Sequence, residues 1–162
     1  MFGLGKRKVI KVDNGLYAPF DGEVFEIEKV SDPIFSQKVL GDGIAIQPVS
    51  SEVFAPVSGK VTVLQAHAIG FVRADGLEVL LHLGIDTVDL SEDAFHLTVK
   101  VGDVLEGGQK CGEVDWAKVS KAQLEQTSMI IFTNRVGKLE RFEVDYGPSL
   151  AGNAIGEVSV SR

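Results

Sequence analysis

The chain has 162 residues, of which 44% are hydrophobic and 24% are charged, and its formal net charge at pH 7 is −7. This length predicts one domain whose core needs no disulfide to fold, and the single cysteine excludes an intramolecular disulfide. The acidic balance argues against nucleic acid as a partner. Because the sequence shows neither a membrane-spanning run nor a signal peptide, we expect a cytoplasmic protein.

At the amino terminus, residues 1–11 contain four basic side chains and no acidic one. We expect residues 1–15 to form a flexible basic segment and residues 16–162 to form the folded domain. Basic side chains are attracted to anionic lipid headgroups, so the segment predicts at most a weak contact of residues 1–11 with a membrane surface.

Short segments rich in Val, Ile and Phe alternate with turns that contain many of the 18 glycines, which predicts strands rather than helices. The predicted strands are Gly22–Ile27, Gly43–Ile46, Lys60–Leu64, Ile69–Val72, Leu77–Leu83, Met129–Phe132, Leu139–Val144 and Ala154–Val160. Only Trp116–Gln126 predicts a helix, with Asp115 as its N-cap. We therefore expect an all-β, single-domain antiparallel β-sandwich with at most one or two short helices.

An internal repeat supports this architecture. Residues 17–24 and 54–61 share the pattern aromatic-Ala-Pro-apolar-polar-Gly-charged-Val. Proline limits strand pairing and glycine supplies a tight turn, so each copy predicts the same local bend. The repeat indicates a pseudo-duplicated sandwich of the barrel-sandwich hybrid type, and residues 101–109 predict a hairpin between its sheets.

Two of the three histidines, His67 and His82, lie on predicted strands on either side of an Asp-Gly turn at residues 75–76. If paired residues on these strands have numbers that sum to 149 or 151, both rings lie on one face, about 4.5–8 Å apart. A backbone carbonyl at or near Gly84 is then placed to accept a ring proton and select one tautomer. The third histidine, His96, is predicted in a surface loop.

Three interpretations of the His67–His82 pair stay open at this point. The pair suits phosphoryl transfer through a phosphohistidine, in which one ring attacks and the other contacts the oxygens of the adduct. It also suits a zinc site with a carboxylate such as Asp86 as a third ligand. The third interpretation is two ordinary strand histidines without a chemical role.

The segment from Gly76 to Val88, GLEVLLHLGIDTV, resembles the active-site signature of enzyme IIA of the glucose family of the bacterial phosphoenolpyruvate:sugar phosphotransferase system. Residues 32–35, 41–48, 55–59, 67–70 and 130–134 are also similar to this family, in the family's order. The resemblance spans about residues 16–160, which is nearly the whole chain.

This resemblance implies a phosphoryl carrier on a compact antiparallel β-sandwich. The protein HPr would donate a phosphoryl group to Nε2 of His82, with His67 hydrogen-bonded to that group, and a cysteine of a permease IIB domain would accept it. No cofactor beyond the transient phosphohistidine is implied, although His67 and His82 could share a zinc ion with a partner. Supporting positions are Asp32, Asp86, Gly84 and Gln65, the last standing where the family commonly has Thr.

The resemblance also implies an apolar docking rim around the site, for which the matching residues are Ile34, Phe35, Val39, Leu40, Leu80 and Val88. Two alternatives remain. One is a regulatory protein that binds other cytoplasmic enzymes or transporters according to phosphorylation state and feeds no permease. The other is a zinc-dependent hydrolase on a similar β-scaffold. The sugar that such a system imports is not encoded here, because a IIA domain never contacts it.

Overall fold

The computed structural model describes residues 8–90, 92–134 and 139–161. This part of the chain contains fourteen strands and two short α-helices. In chain order they are β1 Gly15–Tyr17, β2 Gly22–Glu26, α1 Pro33–Ser36, β3 Asp42–Pro48, β4 Glu52–Phe54, β5 Gly59–Gln65, β6 Ala68–Val72, β7 Glu78–His82, β8 Phe95–Leu97, β9 Val104–Leu105, β10 Lys110–Val114, α2 Trp116–Lys121, β11 Ser128–Phe132, β12 Leu139–Val144, β13 Gly147–Ser149 and β14 Ala154–Val160.

The strands form three sheets, and every strand pair is antiparallel. The largest sheet has eight strands in the order β13-β2-β3-β11-β7-β6-β5-β9, and two smaller sheets have the orders β1-β14-β12 and β4-β10-β8. The predicted all-β antiparallel fold with two short helices is therefore confirmed. Each of the eight predicted strands matches an observed one to within two residues at either end.

The internal repeat corresponds to a local two-fold relationship between the two copies. Tyr17 N–H donates to the Pro56 carbonyl over 2.9 Å, and Phe54 N–H donates to the Pro19 carbonyl over 3.0 Å. Each residue of the first bond has its counterpart, 37 positions away, in the second. The apolar residues of both copies lie in the main core, namely Ala18, Phe20, Ala55 and Val57.

A second, smaller apolar cluster lies on one face of the largest sheet and positions the site described below. Its buried members are Ile27, Val30, Phe35, Ala45, Ile85, Met129 and Ile131. A 3₁₀ turn at Ile27–Lys29 and helix α1 contribute two of these residues, Ile27 and Phe35, and so cover that face. Asp32 caps α1, because its Oδ1 accepts a hydrogen bond from Ile34 N–H over 2.9 Å, and Pro33 is the first helical residue.

Three sequence-based expectations are corrected by the structure. The helix predicted to run to Gln126 ends at Lys121, because Gln123 adopts a left-handed φ of +62° that a helix cannot contain. Residues 101–109 do not form a hairpin of their own; β9 pairs with β5 instead. His96 is exposed as expected, but it lies on β8 opposite Glu113 rather than in a loop.

The amino-terminal segment is described from residue 8 onward, so the predictions for residues 1–7 lie outside the described residues. Asp13 connects the end of this segment to the domain: its carboxylate accepts hydrogen bonds from Gly15 N–H, the Tyr17 hydroxyl and the Ser58 hydroxyl at 2.7 to 2.9 Å. No helix within the described residues is long and apolar enough to span a membrane.

Candidate functional site

The structure brings the rings of His67 and His82 together. Their centroids are 5.0 Å apart and their planes meet at 75°. His82 is the last residue of β7 and pairs with Ala68 on one side and with buried Met129 on the other. Since directly paired residues share a face, His82 lies on the sheet face that carries the smaller apolar cluster.

The register that produces this contact differs from both expected registers. In β6 and β7 the paired residues are Ala68 with His82 through Val72 with Glu78, so their numbers sum to 150. The loop between them spans residues 73–77 and is closed by the Arg73 N–H bond to the Leu77 carbonyl, 2.9 Å long. The predicted sums of 149 and 151 are therefore wrong.

His67 reaches His82 because it lies outside the strand ladder. With the observed register, strict alternation would place its side chain on the opposite face from His82. His67 instead occupies the turn between β5 and β6, where alternation does not apply, and its carbonyl accepts the Leu83 N–H over 2.8 Å. The predicted contact between the two rings exists. It arises from the turn between β5 and β6 and not from the alternation of side chains along a strand.

One tautomer of His82 is selected by a backbone group. Nδ1 lies 2.8 Å from the carbonyl oxygen of Gly84. A carbonyl oxygen only accepts, so Nδ1 carries the proton and Nε2 carries the free lone pair. Nε2 is therefore the nucleophilic atom of this ring.

His82 is also kept neutral. Burial lowers its pKa to about 4, although the Gly84 bond and the carboxylates of Asp32 and Asp86 act in the opposite direction. The Phe35 ring, with its centroid 5.0 Å from that of His82, supplies part of the apolar surroundings. A neutral imidazole at pH 7 has the lone pair that nucleophilic attack requires.

His67 is buried, and burial lowers its pKa as well. Within the part of the chain that the structure describes, no side chain or backbone group hydrogen-bonds its ring, which leaves its nitrogens available to a bound group. Gln65, the last residue of β5, is exposed, and no described hydrogen bond joins it to His67. Gln65 therefore lies close to His67 in the sequence but does not orient the His67 ring through a hydrogen bond.

A depression of about 270 Å³ opens beside His82. Its lining residues are Asp32, Ile34, Phe35, Leu40, His82, Asp86, Thr87 and Val88. Asp86 is exposed and adopts a left-handed φ of +59°. The carboxylates of Asp32 and Asp86 thus lie near His82.

The residues expected to form an apolar rim separate into two groups. Ile34, Val39, Leu40 and Val88 are 42–67% exposed, which is unusual for apolar side chains this close together. Phe35 is buried against His82, and Leu80 packs on the smaller cluster. These two residues support the site from beneath and are not part of an exposed rim.

Two supporting residues were not found from the sequence. The hydroxyl of Ser128, on β11, accepts a hydrogen bond from Gly84 N–H over 3.3 Å, and the Glu125 carbonyl accepts Ile85 N–H over 3.0 Å. Ser128 lies 44 positions from Gly84 along the chain. No local pattern marks such a contact, because it depends on the pairing of β7 with β11.

A bound metal ion and the single cysteine are two further possible sources of chemistry. Among the described residues, no group of three or more His, Cys, Asp or Glu side chains is placed to hold a metal ion. The third ligand that a zinc hydrolase needs is thus not provided by these residues. Cys111 is fully buried, which raises its pKa to about 12 and disfavours the reactive thiolate.

Comparison with known proteins connects this geometry to a family. Residues 14–137 match the family described as phosphoenolpyruvate-dependent sugar phosphotransferase system, EIIA 1. The chain is 37% identical over 132 residues to the PTS system glucose-specific EIIA component of Staphylococcus aureus strain COL, a match that covers 80% of each protein.

Two further relatives extend the comparison. The chain is 40% identical over 121 residues to the PTS system glucoside-specific EIICBA component of Staphylococcus carnosus, which covers 74% of this chain and 18% of that protein. The solved structure of glucose permease IIA from Mycoplasma capricolum superposes with a TM-score of 0.82 at 36% identity, over 88% of this chain and 93% of the other.

Proposed function

The chain belongs to the EIIA 1 family of the phosphoenolpyruvate-dependent sugar phosphotransferase system, whose members carry phosphoryl groups, and from this premise we propose that His82 Nε2 is the phosphoryl acceptor. The observation that supports this choice most directly is the 2.8 Å contact between His82 Nδ1 and the Gly84 carbonyl. It keeps the proton on Nδ1 and leaves the Nε2 lone pair free to attack phosphorus.

The transfer step balances without any cofactor. The Nε2 lone pair forms a new N–P bond while the P–N bond of a phosphohistidine donor breaks and returns its electron pair to the donor ring. That ring leaves as neutral imidazole when its other nitrogen carries a proton. The ring of His82 becomes positively charged because it keeps its Nδ1 proton.

Burial disfavours this positive ring, and three neighbouring groups partly offset that cost. The Gly84 carbonyl and the carboxylates of Asp32 and Asp86 all favour its charged form. The low pKa of His82, about 4, also makes the ring a good leaving group for onward transfer. In this proposal His67 donates a ring N–H to the phosphoryl oxygens, which its centroid distance of 5.0 Å from the His82 ring supports.

We also propose HPr as the donor and a IIB domain cysteine as the acceptor. The exposed apolar side chains of Ile34, Val39, Leu40 and Val88 beside the site support a surface that docks partner proteins. The similarity to part of a relative named as an EIICBA component supports action together with a IIB unit. Both partners would meet this chain in the cytoplasm.

The test is phosphorylation with phosphoenolpyruvate, enzyme I and HPr, followed by intact mass measurement at neutral pH. We expect one acid-labile phosphoryl group on the wild type and on the control His96→Ala, none on His82→Ala, and slower formation on His67→Ala. An unmodified wild type, or a His82→Ala variant labelled as fully as wild type, would overturn the proposal. Onward transfer to an isolated IIB domain separates a carrier from a purely regulatory protein.

A further inference from the structure

Ser128 is the first residue of β11, and its side chain is fully buried beside the loop that carries Gly84. Its Oγ accepts a hydrogen bond from Gly84 N–H over 3.3 Å and donates one to the Gln126 carbonyl over 3.1 Å. The hydroxyl therefore joins the end of β7 to the segment that leads into β11.

The next peptide group along the loop is held by the same segment. Ile85 N–H donates to the Glu125 carbonyl over 3.0 Å. In a trans peptide the N–H and the C=O point in opposite directions, so this bond directs the Gly84 carbonyl away from Glu125. On that side the carbonyl accepts the Nδ1 proton of His82.

We propose that Ser128 is a positioning residue for phosphoryl transfer: its hydroxyl holds Gly84 at the N–H and so, together with the Glu125 carbonyl on the next peptide, keeps the Gly84 carbonyl where it accepts the Nδ1 proton of His82. This inference rests on the proposed function of His82, but its structural part concerns the ring before any donor binds. Ser128 does not contact the reacting atoms; it acts through Gly84.

Loss of the hydroxyl has a defined consequence. The Gly84 N–H would be left buried without an acceptor, a state that proteins avoid by shifting the backbone. A shift of Gly84 weakens the bond to His82 Nδ1 and populates the tautomer with the proton on Nε2. That tautomer has no lone pair at Nε2 and accepts no phosphoryl group there.

The experiment compares Ser128→Ala with wild type by ¹⁵N NMR of the His82 ring in the unphosphorylated protein. We expect a measurable fraction of the Nε2-protonated tautomer and a lower His82 pKa, since the Gly84 bond favours the charged ring. We also expect phosphorylation to slow in proportion to the fraction of ring that leaves the Nδ1-protonated tautomer, by at most about tenfold, the factor that one hydrogen bond represents. Ser128→Thr keeps the hydroxyl and should restore both the tautomer and the rate.

The matched control is Ser58→Ala. Ser58 is as fully buried as Ser128, and its Oγ also accepts a backbone N–H, that of Gly107 over 2.8 Å, while it donates to Asp13 over 2.7 Å. This variant should lose stability without changing the His82 tautomer or the phosphorylation rate. If Ser128→Ala does not fold, Ser128→Cys, with its weaker sulfur acceptor, replaces it in the same comparison.

The proposal is overturned if the folded Ser128 variant keeps the wild-type tautomer and rate, or if Ser58→Ala changes both to the same extent. Failure of the proposed function would look different, because wild type itself would take no phosphoryl group. The NMR result would still report whether Ser128 controls the tautomer.

Discussion

The Gly84 carbonyl accepts the Nδ1 proton of His82 across 2.8 Å, and it does so from a backbone with a φ of +80°. Glycine adopts this left-handed conformation without steric cost, whereas other residues do not. A Cβ at this position would also lie 2.6 Å from Thr87 Cγ2 and 3.1 Å from the Glu125 carbonyl oxygen. The bond that selects the tautomer therefore depends on residue 84 being glycine.

The first prediction is that Gly84→Ala impairs both stability and phosphoryl acceptance. The backbone strain and the close contacts should lower the free energy of unfolding by about 1–3 kcal/mol. The displaced carbonyl should also shift the His82 tautomer toward Nε2–H. Urea unfolding, ¹⁵N NMR and the phosphorylation rate measure the three effects.

Gly102→Ala is the control for this variant. Gly102 also has a left-handed φ, +99°, but a Cβ there would meet nothing within 4 Å. This variant should lower the free energy of unfolding by only about 1 kcal/mol, the cost of the left-handed backbone for a residue other than glycine. The His82 tautomer should stay unchanged. Equal effects of the two substitutions on the His82 ring would contradict a local role for Gly84.

The second prediction concerns the pH dependence of stability. The folded-state pKa of His82, about 4, lies below the ordinary histidine value of 6.5, so the unfolded chain binds more protons in this range. The contribution of His82 to stability is then fully present above about pH 6.5 and is lost as the pH falls towards 4. Between pH 7 and pH 5 we expect His82 to account for a loss of about 2 kcal/mol.

Urea titrations at pH 7 and pH 5 measure this loss, in a range where most carboxylates stay ionised. His82→Asn should remove most of the slope, and the smaller remainder should include His67, whose pKa is also lowered by burial. A wild-type stability that does not change between these pH values would contradict the neutral, buried His82 described above.

The third prediction separates the two roles of Asp32, which caps α1 and contributes negative charge near His82. Asn is as good an N-cap as Asp, so Asp32→Asn should keep stability but lower the His82 pKa and slow phosphorylation. Asp32→Ala should do the same and also cost about 1 kcal/mol of stability. NMR titration and urea unfolding distinguish these outcomes.

Asp115, the N-cap of α2, provides the control, because its carboxylate accepts Ala117 N–H over 3.1 Å in the same manner. Asp115→Ala should cost about 1 kcal/mol of stability and leave the His82 pKa as it is in wild type. If Asp32→Asn left the His82 pKa and the phosphorylation rate unaltered, the electrostatic role of Asp32 would be excluded.

The fourth prediction tests the exposed apolar rim. Val39→Lys introduces a charge on a side chain that is 67% exposed, so it should change stability by at most about 0.5 kcal/mol. It should lower kcat/KM for phosphoryl acceptance about tenfold, mainly through KM, because a docking core excludes charge. Val101→Lys is the control, since Val101 is similarly exposed, at 62%, on the turn before β9. Equal slowing by the two variants would show that Val39 is not a docking residue.

Strand positions could largely be predicted, but only where the strands are long enough to show a pattern. Segments such as Ser128–Phe132 and Ala154–Val160 are recognisable because apolar and β-branched residues recur along their length. Strands of two or three residues, such as Val104–Leu105 and Glu52–Phe54, were missed. They are too short to carry a pattern and form only because a neighbouring strand pairs with them.

Helix α1 was missed although its start signal was present. An Asp followed by Pro is a recognised N-cap and first helical residue, and Asp32-Pro33 has this arrangement. The helix has only four residues, too few for an apolar period to appear. It exists because Phe35 is buried in the smaller cluster, a contact that its local sequence does not reveal.

The all-β class, the main strands and, through a resemblance along most of the chain, the two histidines of the site could be identified from the amino-acid sequence alone. These properties are local, because residue preferences and motifs are encoded in consecutive positions. Three features became visible in the packed fold: β6 and β7 pair with numbers that sum to 150, His67 contacts His82 from a turn, and Ser128 holds the Gly84 loop. These three features depend on loop closure and on contacts between distant positions, whose energies are set by the packed fold.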